Sequence, residues 1–80
     1  MKITVKFFAF KELAGTSVST LEMPTGATVA DLTVLLAAQF PGLFPRAEQA
    51  VYLVDQRIGG RDTQLSDGAV VVMLQMVAGG

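Results

Sequence analysis

Residues 2–10 alternate between apolar and polar side chains, which is the period of a β-strand with one buried face. The apolar positions expected to face the core are Ile3, Val5, Phe7 and Ala9. Phe8 and Phe10 fall on the polar face of this strand. We interpret them either as packed beneath the next segment or as an exposed apolar patch of the kind that marks partner surfaces.

A return strand is predicted after the first one. Lys11 to Ala14 can form one helical turn, which Gly15 closes because glycine adopts the left-handed conformation at low steric cost. Thr16 to Met23 is then predicted as a second strand beside the first. Val18 is out of phase with the later apolar positions of this strand, and either a bulge or a loose sheet edge explains it.

The next segment has the pattern of an amphipathic helix. Thr28 and Asp31 have the spacing of a helix start at which side-chain oxygens accept hydrogen bonds from free backbone N–H groups. We predict a helix from Val29 to Phe40, ended by Pro41-Gly42. Its apolar stripe, which can lie on a sheet, comprises Val29, Leu32, Leu35, Leu36 and Phe40.

Shorter elements are predicted in the second half of the chain. Leu43-Phe44-Pro45 is interpreted as an apolar connector, and Val51 to Val54 as a strand that turns at Asp55-Gln56. The segment Gly59 to Asp62 resembles a phosphate-binding loop in composition but lacks the following Lys-Ser/Thr and helix start, so we interpret it as a hairpin turn. Ser66-Asp67-Gly68 is a predicted tight turn.

The last apolar run, residues 69–78, is expected to form a central strand because it is apolar on both faces. The two faces carry Val71 with Met73, and Val70 with Val72, Leu74 and Met76. The helix stripe can cover one face. The other either forms a second small cluster under the loops or is a partner-binding patch that uses adaptable Met side chains.

Composition and charge limit the classes of function. With 80 residues, of which 51% are hydrophobic, the chain is expected to form one domain over residues 1–76, followed by a flexible tail over residues 77–80. It has no apolar run long enough to cross a membrane and no signal-peptide pattern, so we expect a soluble, cytoplasmic protein. The net charge is −1 and the Lys and Arg residues do not cluster, which argues against nucleic-acid binding.

The chain lacks the residues of most catalytic sites. It contains no Cys and no His, so a thiol nucleophile, a Ser-His pair or an ordinary zinc site cannot be assembled from it. None of its eight Gly residues lies in a recognised nucleotide-binding motif, and its seven Asp and Glu residues are scattered singly. We therefore expect no metal and no cofactor on this chain, and any ATP to be bound by another protein.

The sequence ends in Gly79-Gly80, directly after the last apolar run. One interpretation is a frayed end that tolerates glycine. The functional interpretation is that a backbone without side chains can enter a slot too narrow for a Cβ atom, and that the terminal carboxylate of Gly80 is the reactive group.

A hairpin, a helix and further strands with the last one central follow the order of a β-grasp domain, and the sequence resembles the sulfur-carrier family that includes MoaD and ThiS. The residues that carry the resemblance are Phe7-Phe8-Ala9, Lys11-Glu12-Leu13-x-Gly15, Val29-x-x-Leu32, Leu65-x-Asp67-Gly68-x-Val70 and Gly79-Gly80. The implied fold class is α+β, a ubiquitin-like β-grasp with a mixed four- to five-stranded sheet and one main helix at about residues 29–40. The chain departs from the family pattern at Gln75-Met76, where two prolines are common, and at Asp55, where Asn is common.

The resemblance implies a carrier without catalytic activity of its own. A ubiquitin-activating-type adenylyltransferase similar to MoeB and ThiF would use ATP to join the Gly80 carboxylate to AMP, and a sulfur donor protein would convert it to a thiocarboxylate. The tail, with Gly79 as its narrow approach, would donate the sulfur inside a MoaE-like large subunit of molybdopterin synthase. We predict Phe8, Met73 and Gln75 as docking residues for these partners.

Two other classes of function stay open. The chain can be a ubiquitin-like modifier conjugated through Gly80 to other proteins, or a binding module whose glycine tail is incidental. Within the carrier class, the sulfur can go to thiamine or to another cofactor instead of molybdopterin.

Overall fold

The computed structural model describes residues 1–75, so Met76 and the predicted tail at 77–80 lie outside the described residues. The strands are β1 (Lys2–Lys6), β2 (Val18–Glu22), β3 (Val51–Val54), β4 (Arg57–Gly59) and β5 (Val70–Leu74). The α-helices are α1 (Lys11–Ala14), α2 (Val29–Gln39) and α3 (Arg46–Gln49), with short 3₁₀ helices at Phe8–Phe10 and Pro41–Leu43. The predicted hairpin, main helix and final strand are therefore present in that order.

The five strands form one mixed sheet in the order β2-β1-β5-β3-β4. β1 and β5 run parallel, and the other neighbouring pairs are antiparallel. β5 lies in the middle of the sheet, as its two apolar faces predicted. With α2 packed against one face, this is the ubiquitin-like β-grasp architecture, and the predicted fold class is confirmed.

β1 ends at Lys6 and not at Phe10 as predicted. The chain leaves the extended conformation in a turn where Phe8 has a φ of 42° and the Phe10 N–H donates to the Phe7 carbonyl at 2.8 Å. This turn breaks the expected alternation, so that Phe10 is buried whereas Ala9 is exposed. Of the two out-of-phase aromatic residues, Phe10 packs in the core, as the first interpretation expects, and Phe8 is exposed, as the second requires.

The return from β1 to β2 follows the prediction. Gly15 has a φ of 80° and donates its N–H to the Lys11 carbonyl at 2.9 Å, which ends α1. β2 pairs with β1 without interruption from Glu22 to Val18, so no bulge lies within this register. Val18 is out of phase because β2 is an edge strand whose first residue points away from the core.

The start of α2 has the predicted reciprocal cap. The Thr28 Oγ1 atom accepts from the Asp31 N–H at 3.3 Å, and the Asp31 Oδ2 atom accepts from the Thr28 N–H at 2.9 Å. The helix ends at Gln39, one residue before the predicted end. Phe40 leaves the helical conformation because the ring of a following proline disfavours it, and its side chain packs edge-on against Phe7 with ring centroids 5.1 Å apart.

The hydrophobic core lies between α2 and the inner face of the sheet. Its largest fully buried side chains are Ile3, Val5, Phe7, Leu32, Leu36, Leu43, Val71 and Met73. Complete burial of one such side chain stabilises a fold by about 1.5–3 kcal/mol. In the predicted helix stripe Val29, Leu32 and Leu36 are buried, and Leu35 and Phe40 pack at the edge of the core.

Residues 41–49 are more regular than the predicted apolar connector. They form the 3₁₀ helix Pro41–Leu43 and then α3, in which Ala47 is buried. The Tyr52 hydroxyl of β3 donates to the Ala47 carbonyl and so fastens α3 to the sheet. Burial raises the pKa of Tyr52 above its ordinary value because the phenolate would lose its hydration.

The segment Gly59 to Asp62 is not the predicted hairpin turn. Gly59 is the last residue of β4, a strand that the sequence pattern did not reveal, and β4 is joined to β3 by the turn at Asp55-Gln56. The following loop lies along the start of α2, where the Thr63 carbonyl accepts from the Val29 N–H at 3.0 Å. This bond occupies one of the helix N–H groups that a bound phosphate would use.

Candidate functional site

The sheet face opposite α2 carries a row of side chains that crosses all five strands. Val18 of β2 lies opposite Lys6 of β1, and Lys6 is the neighbour of Val72 on β5. Val72 in turn lies opposite Leu53 of β3, which lies opposite Ile58 of β4. We call these five residues the outer row; it places four aliphatic side chains and one lysine in a line across the sheet.

The outer row is accessible at the protein surface. Ile58 is 77% exposed and Val18 is 47% exposed, whereas Leu53 and Val72 are half-buried. A shallow depression of about 440 Å³ on this face is lined by Lys6, Leu53, Asp55, Gln56, Val70 and Val72. A second cluster under loops would bury these side chains, so their exposure favours a partner-binding patch on this face.

One rim of this depression is formed by the turn between β3 and β4. Asp55 and Gln56 have φ angles of 48° and 73°, both in the left-handed region, as in the type I′ turns that match the twist of antiparallel strands. Aspartate tolerates this conformation better than most residues, and both side chains are exposed. The rim therefore presents a carboxylate and an amide beside an apolar floor.

Phe8, a predicted docking residue, lies at the surface on the turn that follows β1. Its side chain is 56% exposed. It lines a second depression of about 490 Å³ together with Lys6, Lys11, Ser17 and Val18. Because Lys6 lines both depressions, they are neighbours on one continuous surface.

Met73, the second predicted docking residue, lies on the opposite side of the sheet. It is fully buried, and its partner across the sheet is the buried Tyr52. Side chains alternate along β5, so Val72 and Leu74 face outward where Met73 faces the core. The prediction that Met73 contacts a docked partner is therefore wrong, and Val72 and Leu74 are the residues of this part of β5 that lie on the outer face.

Gln75, the third predicted docking residue, is exposed directly after β5. Gly79 and Gly80, predicted to carry the reactive carboxylate, lie outside the described residues. The roles of these three residues stay predictions. The structure places Phe8 and Gln75 at the same end of the sheet, because β1 and β5 run parallel and Phe8 follows the end of β1.

Four residues of the outer row were not predicted from the sequence as site residues: Val18, Lys6, Leu53 and Ile58. Side chains alternate along β3, so Leu53 lies on the face opposite the buried Tyr52. This alternation could have identified Leu53 as an outward-facing residue. Ile58 could not be found in this way because its strand has three residues, too few for a period to be recognised.

Residues 1–75 contain no group of three or more acidic side chains arranged to hold a metal ion. None of the helices in this part of the chain is long and apolar enough to cross a membrane. The candidate site is the exposed outer face of the sheet, with the outer row at its centre and Asp55 and Gln56 at its rim.

Comparison with known structures gives matches over the full domain. The putative molybdopterin converting factor subunit 1 from Pyrococcus furiosus is 28% identical, with a TM-score of 0.82 over 96% of this chain and 99% of that one. A chain in the complex of subunits 1 and 2 of molybdopterin-converting factor from Helicobacter pylori is 20% identical, with a TM-score of 0.70 over 100% of both chains. Small archaeal modifier protein 1 of Haloferax volcanii is 19% identical, with a TM-score of 0.85 over 95% of this chain and 98% of that one.

Sequence comparison gives a family assignment. No curated protein matches the chain significantly. The sequence model of the ThiS family, however, matches residues 5–80. Since this match includes both the β-grasp body and the diglycine end, the chain belongs to the ThiS family.

Proposed function

We propose that this protein is a sulfur carrier whose Gly80 carboxylate is activated and converted to a thiocarboxylate by partner proteins. The observation that carries the proposal is the extent of the family match, which includes Gly79 and Gly80 together with the β-grasp body. The proposal requires Gly80 to be the C-terminal residue of the mature protein. It also places the protein in the cytoplasm, since activation consumes ATP.

The Gly80 carboxylate must be activated before it can accept sulfur, because a carboxylate ionised at neutral pH is a poor electrophile. In the proposed route it attacks the α-phosphorus of ATP bound to a MoeB- or ThiF-like adenylyltransferase, and pyrophosphate leaves. Hydrosulfide supplied by a donor protein then attacks the acyl carbon, the bond to AMP breaks, and the new C–S bond makes the thiocarboxylate. The chain has neither Cys nor His, which agrees with partners that supply all of this chemistry.

The body docks through the outer row and Phe8, while the chain beyond Gln75 enters the active site of the partner. Fully extended, the five residues after Gln75 span about 17 Å, enough to reach a buried site from a body that stays outside. Glycine at positions 79 and 80 keeps the end of this segment narrow.

We propose a MoaE-like large subunit of molybdopterin synthase as the acceptor of the sulfur, with this chain as the non-catalytic small subunit. The structural likeness to molybdopterin converting factor subunit 1 from Pyrococcus furiosus supports this choice, as does the likeness to a chain in the Helicobacter pylori complex of subunits 1 and 2. Delivery to thiamine or to another cofactor is the alternative within the same family.

A ubiquitin-like modifier is the second candidate function. The likeness to small archaeal modifier protein 1 of Haloferax volcanii favours it. In this case the activated Gly80 is attacked by a lysine amine of another protein, and an isopeptide bond forms with loss of AMP. The two functions share the activation step and differ in the nucleophile that follows it.

The test is intact-mass spectrometry of the protein after incubation with the adenylyltransferase from the same organism, Mg-ATP and a sulfur donor. We expect a mass increase equal to the replacement of one oxygen by sulfur, and a loss of this increase after alkylation and hydrolysis. Adducts with other proteins that resist thiol reagents, without any sulfur-bearing form, would favour the modifier. The absence of both products would contradict the proposal.

Two variants of the tail provide controls. An extra alanine after Gly80 removes the reactive carboxylate from its position and should abolish sulfur transfer, with the unfolding free energy unchanged. Gly79→Val adds a branched side chain to the narrow segment and should slow the reaction for a steric reason. Full activity of the extended variant would show that Gly80 is not the reacting residue.

A further inference from the structure

The depression beside Phe8 has an uneven distribution of charge. Its lining contains two lysines, Lys6 and Lys11, two apolar residues, Phe8 and Val18, and the hydroxyl of Ser17. No carboxylate from residues 1–75 lines it. This is a local concentration of positive charge on a chain whose net charge is −1. We call Lys6, Phe8, Lys11 and Val18 the basic patch.

The neighbours of Lys6 across the sheet do not neutralise it. Lys6 lies between Val18 on β2 and Val72 on β5, both apolar. Lys2, on the same face of β1, has Glu22 as its neighbour on β2. The cross-strand neighbours of these two exposed lysines therefore differ: Lys2 has a carboxylate opposite it on β2, whereas Lys6 has two apolar neighbours and shares only the depression on its β5 side with the Asp55 carboxylate.

Phe8, which lines the same depression as Lys6 and Lys11, has an unfavourable backbone conformation. Its φ of 42° lies in the left-handed region, which is disfavoured for a bulky residue, and its aromatic ring is more exposed than buried. Backbone strain of this type concentrates at functional sites, where the surrounding structure maintains it. An exposed aromatic ring held in this way is a suitable anchor for a binding partner.

The basic patch lies where the sheet meets the end of the described chain. β5 runs parallel to β1 and packs against the 3₁₀ helix that contains Phe8. The basic patch therefore lies at the same end of the sheet as Gln75, the last described residue.

From these observations we infer that the basic patch docks an acidic segment of the adenylyltransferase, with one large apolar side chain against Phe8 and Val18 and flanking carboxylates paired with Lys6 and Lys11. This inference rests on the proposed function, since it assigns the chemistry of the partner that activates Gly80. The lysines contribute chiefly to the rate of association, because complementary charges steer two proteins toward the correct encounter.

The inference is tested by reversing the charge of the patch. The variants are Lys6→Glu, Lys11→Glu and the double variant, and the matched control is Arg46→Glu, an equal charge change on α3 away from the patch. The reaction measured is ATP–pyrophosphate exchange by the purified adenylyltransferase from the same organism, with the carrier as the varied substrate. Retained dispersion of the ¹H-¹⁵N NMR spectrum verifies the fold of each variant.

We expect the double variant to raise the KM for the carrier about tenfold or more at low salt while kcat changes less than about twofold. The difference should shrink as salt is added, because exposed charges are screened. The KM of Arg46→Glu should stay within about twofold of the wild-type KM. The double variant Lys6→Arg with Lys11→Arg, which keeps both positive charges, should have a KM as low as that of the wild type.

Equal effects of the patch variants and Arg46→Glu would overturn the inference and leave the proposed function intact, since the wild type would still support exchange. A lower KM in the double variant would also overturn it, because the partner surface would then be basic. If the wild type supports no exchange, the proposed function fails and the inference falls with it.

Discussion

Asp55 forms two hydrogen bonds with the backbone of Val70. Its Oδ1 atom accepts from the Val70 N–H at 2.9 Å, and its own N–H donates to the Val70 carbonyl at 2.9 Å. Asp55 lies in the turn between β3 and β4, and Val70 is the first residue of β5. These bonds therefore fix the turn between β3 and β4, which forms the rim of the depression lined by Leu53 and Val72, to the central strand β5. The side chain needs only an acceptor oxygen for this role, so the amide of Asn suits the position as well.

Asp55→Ala should lower the free energy of unfolding by about 1–2 kcal/mol. The substitution removes one hydrogen bond and places alanine, which lacks a polar side chain to stabilise it, in the left-handed conformation. Asp55→Asn should stay within about 0.5 kcal/mol of the wild type, since it keeps the acceptor and tolerates the same φ. Urea unfolding measures both. If Asn destabilised as much as Ala, the negative charge and not the hydrogen bond would be the important property.

Gly42→Ala should be destabilising by about 1–3 kcal/mol. A Cβ atom at this position would lie 2.5 Å from the Leu13 carbonyl oxygen, which belongs to backbone and cannot rotate away. Gly60→Ala is the matched control, because a Cβ atom there would have nothing within 4 Å. Thermal or urea unfolding of the two variants should separate them clearly, and equal stabilities would mean that the contact between α1 and Pro41–Leu43 adjusts freely.

Phe8→Gly should leave the unfolding free energy within about 1 kcal/mol of the wild type, because relief of the left-handed strain offsets the loss of a partly exposed ring. The neighbouring Phe7 is fully buried, so Phe7→Ala should cost about 3–5 kcal/mol. Activation of Phe8→Gly by the adenylyltransferase should be weaker despite its stable fold. Wild-type activation of this variant would remove Phe8 from the docking surface.

Ile58→Ser and Val34→Ser distinguish the two sides of the molecule. Both residues are exposed, at 77% and 66%, but Ile58 is part of the outer row and Val34 lies on α2. Each substitution should change the unfolding free energy by no more than about 0.5 kcal/mol. In a binding titration with the large subunit from the same organism, Ile58→Ser should cost more than about 1 kcal/mol and Val34→Ser almost nothing. The reverse order would place the docking surface on the helix side.

Local patterns along the sequence determined most of the elements. The period of the first strand, the cap at Thr28 and Asp31, the stripe of α2 and the doubly apolar β5 each follow from side chains close together in the chain, and the structure contains all of them. Together with the order of the elements they were enough to predict the β-grasp fold. The absence of Cys and His likewise came directly from the composition.

The candidate surface depended on the tertiary structure. The outer row exists only because the register of four strand pairs brings Val18, Lys6, Val72, Leu53 and Ile58 into line, and these residues are far apart in sequence. Met73 was assigned to the wrong side for the same reason: the pattern showed two apolar faces on β5 but could not tell which of them α2 would cover. Which face is buried is decided by packing between distant segments, and this information is not contained in the period of any one strand.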